Sequence, residues 1–158
     1  NLVSSPPGTI LGTFTINSTG SGSLISNVTI NTKNFAQTGG VFNLSNSASA
    51  SVLNVSGNFS HTGGTITETS TGSGTINFNG TTAQTYTSGG TLANTINHTI
   101  ATNAIVDFGT SVISNGSDGA FTLNTGAKII TSNANGLTSS GTSGTVQSTG
   151  TRTYNSGA

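Results

Sequence analysis

Large apolar residues recur in this chain as short pairs, each just after a glycine. The pattern is Gly, any residue, then a large apolar side chain: Gly12-Thr13-Phe14, Gly40-Val41-Phe42, Gly64-Thr65-Ile66, Gly90-Thr91-Leu92, Gly119-Ala120-Phe121 and Gly144-Thr145-Val146. Successive glycines lie 28, 24, 26, 29 and 25 residues apart, a period of about 26. Fixed periods of this length signal repeat architectures. A helical repeat would need two amphipathic helices per unit, and the 3.6-residue pattern is missing. Period-2 alternation is present instead, as in Ile76-Asn77-Phe78 and Val28-Thr29-Ile30, which marks half-buried strands. Small-residue runs follow the first strands at a constant offset: Ser18–Ser23, Asn46–Ser51 and Ser70–Thr75. Such runs suit sharp corners, where Gly supplies positive φ. A second strand follows each corner, and an aromatic residue precedes the next glycine pair: Phe35 before Gly39-Gly40, Phe59 before Gly63-Gly64, Tyr86 before Gly89-Gly90.

The pattern predicts an all-β parallel β-helix, a β-solenoid, which we read as right-handed. It has about 26 residues per coil and about six coils, starting near residues 12, 40, 64, 90, 119 and 144. Gly12, Gly40, Gly64, Gly90, Gly119 and Gly144 are the repeat glycines. Phe14, Phe42, Ile66, Leu92, Phe121 and Val146 are the expected core ladder. Residues 1–11 contain Pro6-Pro7, which cannot donate to a ladder, and read as a lead-in or incomplete coil. The pattern breaks off in the last coil, so we expect an excerpt of a longer array. One coil cannot close a core alone, and stability must come from its neighbours.

Composition sharpens this reading. Only 4% of residues are charged, against roughly 25% in typical soluble proteins. Thr, Ser, Asn and Gly supply 97 of 158 residues. Disordered chains are also poor in apolar residues, but they combine that with high net charge and abundant Pro, Glu and Lys. This chain has net charge zero and two prolines. Coil stacking explains the deficit. Equivalent residues face each other about 4.8 Å apart, so a repeated charge would meet its own copy, whereas Asn ladders add hydrogen bonds. A near-zero net charge also favours association between molecules.

The chemistry-bearing residues are few. Acids are Glu68, Asp107 and Asp118; bases are Lys33, Lys128 and Arg152; histidines are His61 and His98; cysteine is absent. A glycosidase needs two carboxylates roughly 5–9.5 Å apart. Asp107 and Asp118, in adjacent coils, are the candidate pair; ordinary turn chemistry, as around Ser117-Asp118-Gly119, is the favoured account of both as solvated turn residues. No metal-binding spacing surrounds His61 or His98, and His61 occupies the position of Gln37 one coil earlier, as a surface or ladder residue would. We expect no enzyme, no cofactor and no metal. No basic patch suggests nucleic acid, and no run of 18 apolar residues suggests a membrane helix. Eight Asn-x-Ser/Thr sequons occur, at Asn17, Asn27, Asn43, Asn54, Asn58, Asn79, Asn97 and Asn115, about the number this composition yields by chance. Thr-x-Thr pairs, as at Thr13/Thr15, Thr65/Thr67, Thr85/Thr87 and Thr151/Thr153, open an ice-binding reading, but Thr favours strands in any case.

Three stretches carry a resemblance: Gly57-Asn58-Phe59-Ser60-His61-Thr62-Gly63-Gly64-Thr65-Ile66, Phe78–Gly90 and Thr149–Ala158. At these residues the chain resembles the repeat regions of very large secreted adhesins of Bacteroidota-type bacteria, including gliding-motility adhesins. The resemblance implies an extracellular, cell-surface filament exported by the type IX secretion route and used for attachment or gliding. Expected partners are a polysaccharide or solid surface, neighbouring coils of the same chain, and laterally associated copies.

Overall fold

Among the described residues thirteen strands, every hydrogen-bonded pair of them parallel, wind around one narrow core. The computed structural model describes residues 8–114 and 118–158. The strands are β1 Gly8–Asn17, β2 Ser23–Ile25, β3 Ile30–Asn43, β4 Ser51–Val55, β5 Phe59–Thr67, β6 Gly74–Phe78, β7 Gln84–Ser88, β8 Thr91–Leu92, β9 Ile96–Ile100, β10 Ile105–Gly109, β11 Phe121–Leu123, β12 Lys128–Thr131 and β13 Arg152–Tyr154. Each coil has three sides. Side A stacks the start of β1, the start of β3, then β4, β6, β9, β11 and β13. Side B stacks the rest of β1, the middle of β3, the start of β5, then β7, β10 and β12. Side C stacks β2, the ends of β3 and β5, and β8, with an isolated Ile113–Val146 bridge beyond them.

Register on side A is regular. Gly8, Ile30, Leu53, Ile76, His98 and Phe121 are successive partners, 22 or 23 residues apart. These are five even turns; the next step, to Arg152, takes 31 residues. On side C, Phe42, Ile66 and Leu92 stack with spacings of 24 and 26. Corner length accounts for the differences, because only the strands must stay in step.

The six residues expected to form one core ladder fall in separate columns on three sides. Phe42, Ile66 and Leu92 form one column on side C, with Leu24 before them. Phe14 instead pairs with Phe35 on side B, Phe121 with His98 on side A, and Val146 with Ile113. All six contribute to the core; Phe14 is half-buried and the other five are fully covered. The reason is local. A glycine followed by an in-pointing apolar residue is what any corner-to-strand junction requires, so the motif marks corners without saying which. Gly40 and Gly64 turn the B–C corner with φ of 75° and 78°, and Gly90 follows them. Gly12 lies inside β1 where its pairing shifts, and Gly119 two residues before Phe121, the start of β11. Strand β1 begins at Gly8, so Gly8–Leu11 of the expected lead-in belongs to the stack; Pro6-Pro7 lies outside the described residues.

Side B holds the aromatic column. Phe35 and Phe59 stack at 4.9 Å between ring centroids, Phe59 and Tyr86 at 5.0 Å, and Tyr86 and Phe108 at 4.6 Å. Phe14 meets Phe35 and Phe42 edge-on. Offset stacked and edge-on pairs are the arrangements the ring quadrupole favours. In a parallel solenoid they follow from placing an aromatic at the same strand position in consecutive coils.

Candidate functional site

Corners bring buried polar side chains to the backbone. Where the chain turns between sides, carbonyls point inward without a ladder partner, and each must be satisfied. Gln37 does this at the B–C corner: its Nε2 donates to the carbonyls of Gly40 and Thr65 at 3.1 and 3.2 Å. His61 stacks on Gln37 and sets its Nε2 3.3 Å from the Gly64 carbonyl. Gln84 serves the A–B corner. It accepts from the Gly80 amide at 2.8 Å and donates to the carbonyls of Val55 and Gly57 at 2.8 and 2.6 Å. All three side chains are buried. The sequence signal for His61 was its alignment with Gln37; that both face inward was not legible. Gln84 was missed because polar residues on strands read as outward.

The acids are placed apart. Glu68 is buried at the C–A corner, where its carboxylate accepts from the amides of Ser70 (3.2 Å) and, one coil on, Thr95 (3.3 Å). Asp107 sits in β10 between Thr85 and Ile130 and accepts from the Gly109 amide at 2.8 Å. Asp118 is exposed before β11 and accepts from the Thr149 hydroxyl. Among the described residues Asp107 and Asp118 share no hydrogen-bond partner. Among the described residues no group of three His, Cys, Asp or Glu could hold a metal ion. Arg152 follows Phe121 in the inward column of side A and spreads over the last coil, donating to the carbonyls of Thr138 and Ser148 at 3.0 and 2.9 Å. Lys33 and Lys128 are exposed.

His98 is fully buried in the side-A column between Ile76 and Phe121. Neither ring nitrogen reaches hydrogen-bonding geometry, although the Ile96 backbone interacts with the ring. Burial lowers its pKa to about 4, with a smaller contribution in the same direction from His61. Desolvation lowers His61 as well, opposed by its Gly64 contact.

Outside, the sides are polar and uncharged over most of their length. On side A, Asn31, Asn54 and Asn77 form an amide ladder: Asn54 Nδ2 donates to Asn31 Oδ1 at 2.7 Å, and Asn77 Nδ2 to Asn54 Oδ1 at 2.8 Å. Thr99, Thr122 and Thr153 continue the column. The Thr-x-Thr pairs are scattered: Thr13/Thr15 and Thr85/Thr87 lie on side B, Thr65/Thr67 on side C, and Thr153 on side A. Of the sequons, Asn17, Asn58 and Asn79 are exposed, Asn43 is buried, Asn27, Asn54 and Asn97 are half-buried, and Asn115 lies outside the described residues.

One groove interrupts the A–B corner. Its volume is about 460 Å³, and its lining includes Ile10, Asn31, Lys33, Asn54, Ser56 and Asn79. It exists because corner length steps up. Thr32 and Phe35 are three positions apart and Val55 and Phe59 four, but Phe78 and Tyr86 are eight apart. The longer corner, residues 79–83, stands out as a wall beside the two short ones.

Comparison with known proteins leaves the fold as the main guide: no family model, curated protein or solved structure matches the chain.

Proposed function

We propose that this chain is a rod segment of an extracellular cell-surface adhesin or filament, serving attachment or surface gliding. The observation that carries the reading is the parallel stack, continuous along sides A and B. On those two sides each interior strand is hydrogen-bonded to the coils before and after it, so their pairing edges fall at the two ends. Seven stacked positions on side A span roughly 30 Å at the usual strand spacing, and length grows linearly with coils added. Such a stack resists pulling through many backbone hydrogen bonds loaded together. Its neutral Thr, Ser and Asn sides suit contact with a hydrated polysaccharide or solid surface, and set little repulsion against lateral bundling. In this reading the chain is not an enzyme, and the separate settings of Asp107 and Asp118 agree with that. The resemblance of its repeat motifs to gliding-motility adhesins supports type IX export.

The test is electron microscopy of producing cells labelled with an antibody to this segment. Label along thin filaments projecting from the cell surface is the expected result. Label confined to compact soluble particles in the medium would overturn the proposal.

A further inference from the structure

We propose that the groove at the A–B corner binds one strand of a neutral polysaccharide. The argument starts from its lining. Asn31, Asn54, Ser56 and Asn79 supply amides and a hydroxyl and Ile10 supplies an aliphatic patch; among the described residues Lys33 is the one charged residue lining it, and no carboxylate does. Sugar rings present that same mixture: hydroxyls that both donate and accept, and C–H faces that pack on aliphatic carbon.

The amide ladder makes the donors regular and rigid. Because Asn54 gives its N–H to Asn31, and Asn77 gives its own to Asn54, the side-chain planes are held before any ligand arrives. Asn31 is the donor end of this chain, and its amide N–H groups have no acceptor among the described residues. Preorganised donors lose little entropy on binding. They recur at the coil spacing, about 4.8 Å, which is close to the advance of one pyranose ring along an extended glycan. The wall formed by residues 79–83 gives the strand a second side to rest against. A volume of about 460 Å³ falls in the range of organic-ligand sites, too large for a single ion.

Other ligand classes fit less well. A nucleic acid needs several cations along its phosphates, and the groove has Lys33 alone. A protein partner would dock on buried aromatic or arginine anchors, and none lines the groove. With one charge present, Coulomb attraction contributes little, so binding should persist at high salt.

This inference sharpens the attachment reading by naming where a polysaccharide would sit, and it can fail separately. A pure spacer would still be found along filaments while leaving the groove empty.

The experiment is affinity electrophoresis of the purified chain through gels containing a neutral glucan, mannan or galactan, or polygalacturonate as the acidic comparison. At least one neutral polymer is expected to retard the native chain, equally at low and high salt. Ser56→Trp fills the groove from an exposed position and should weaken retardation at least about tenfold, the loss of one or two hydrogen bonds. Asn79→Ala, on the exposed wall, should weaken it severalfold, while Thr91→Val on side C leaves it unchanged. Circular dichroism checks each fold, and Asn79→Ala decides the matter if Ser56→Trp misfolds. No retardation by any neutral polymer, retardation by polygalacturonate alone that salt removes, or native-like binding by Asn79→Ala and a folded Ser56→Trp would each overturn the proposal. Filament labelling without retardation would leave the rod standing and remove the groove.

Discussion

Replacing Phe59 by alanine takes the centre out of the aromatic column. Its ring is fully buried, stacks on Phe35 at 4.9 Å and on Tyr86 at 5.0 Å, and meets Phe78 edge-on at 5.6 Å. Truncating a buried Phe costs roughly 3–5 kcal/mol in lost transfer energy and cavity. Three ring contacts, each worth about 0.5–1.5 kcal/mol beyond area, place Phe59→Ala in the upper half of that range, near 4–5 kcal/mol. Coils above and below are fixed by their own backbone ladders, so the gap cannot collapse easily. Phe14 provides the comparison. It is half-buried at the end of the column, with edge-on contacts to Phe35 and Phe42, and its loss should cost about half as much. Whole-chain stability is expected at about 5–15 kcal/mol, so Phe59→Ala removes about a quarter of it or more. The assay is thermal and urea unfolding followed by far-ultraviolet circular dichroism. At about 2–4 °C per kcal/mol for a chain of this size, Tm should fall by roughly 8–20 °C for Phe59→Ala and by half that for Phe14→Ala. A break in the middle of a nearest-neighbour stack should also split the transition and lower the urea slope. Equal losses for the two variants, or a loss under about 1 kcal/mol for Phe59→Ala, would refute the column as a main source of stability.

Three further outcomes are expected. Stability should fall on acidification from the unfolded histidine value of 6.5 toward about 4, where the buried His98 finally accepts a proton. Within that window the unfolded chain binds more protons than the folded one, so stability rises with pH by up to roughly 3 kcal/mol. His61 adds in the same direction, and His98→Leu should flatten the profile measured by urea unfolding at several pH values. Gly64→Ala places a Cβ at φ +78° and 2.5 Å from the Gly40 carbonyl, and should cost more than about 2 kcal/mol. Gly136→Ala, at positive φ but facing open space, should cost about 1 kcal/mol by the same thermal assay. Arg152→Ala releases the carbonyls of Thr138 and Ser148; limited proteolysis should then cut within residues 133–144 while β3 to β9 stay protected.

Strand existence, corner chemistry and solenoid class were legible in the chain. Alternation in Ile76-Asn77-Phe78 follows from the pleat, a purely local property. The serine-rich corners and the Gly39-Gly40 and Gly63-Gly64 turns are local too, because they depend on backbone freedom at one or two residues. The scarcity of charge follows from stacking like on like, which any repeat of this kind enforces. Of the candidate site, the neutral Asn and Thr character could be read directly.

What only the tertiary structure decided was which coil position meets which. Parallel pairing between coils is set by the lengths of three corners, and those lengths vary. The motif Gly12-Thr13-Phe14 looks like Gly40-Val41-Phe42, yet Phe14 falls in step with Phe35 because β1 spans side A and side B before any C side begins. Polar residues posed the second difficulty. Gln37, His61, Gln84 and His98 stand at inward positions, but alternation identifies the inner face only when it is apolar. The first three are held inside by corner carbonyls that become visible once the chain has turned. The groove has the same origin. Its side chains are ordinary surface residues in sequence, and it comes into being where a corner of eight positions stacks beside corners of three and four. Local chemistry therefore determined the strands and the polarity of their surfaces, while nonlocal register determined the columns, the buried polar network and the groove.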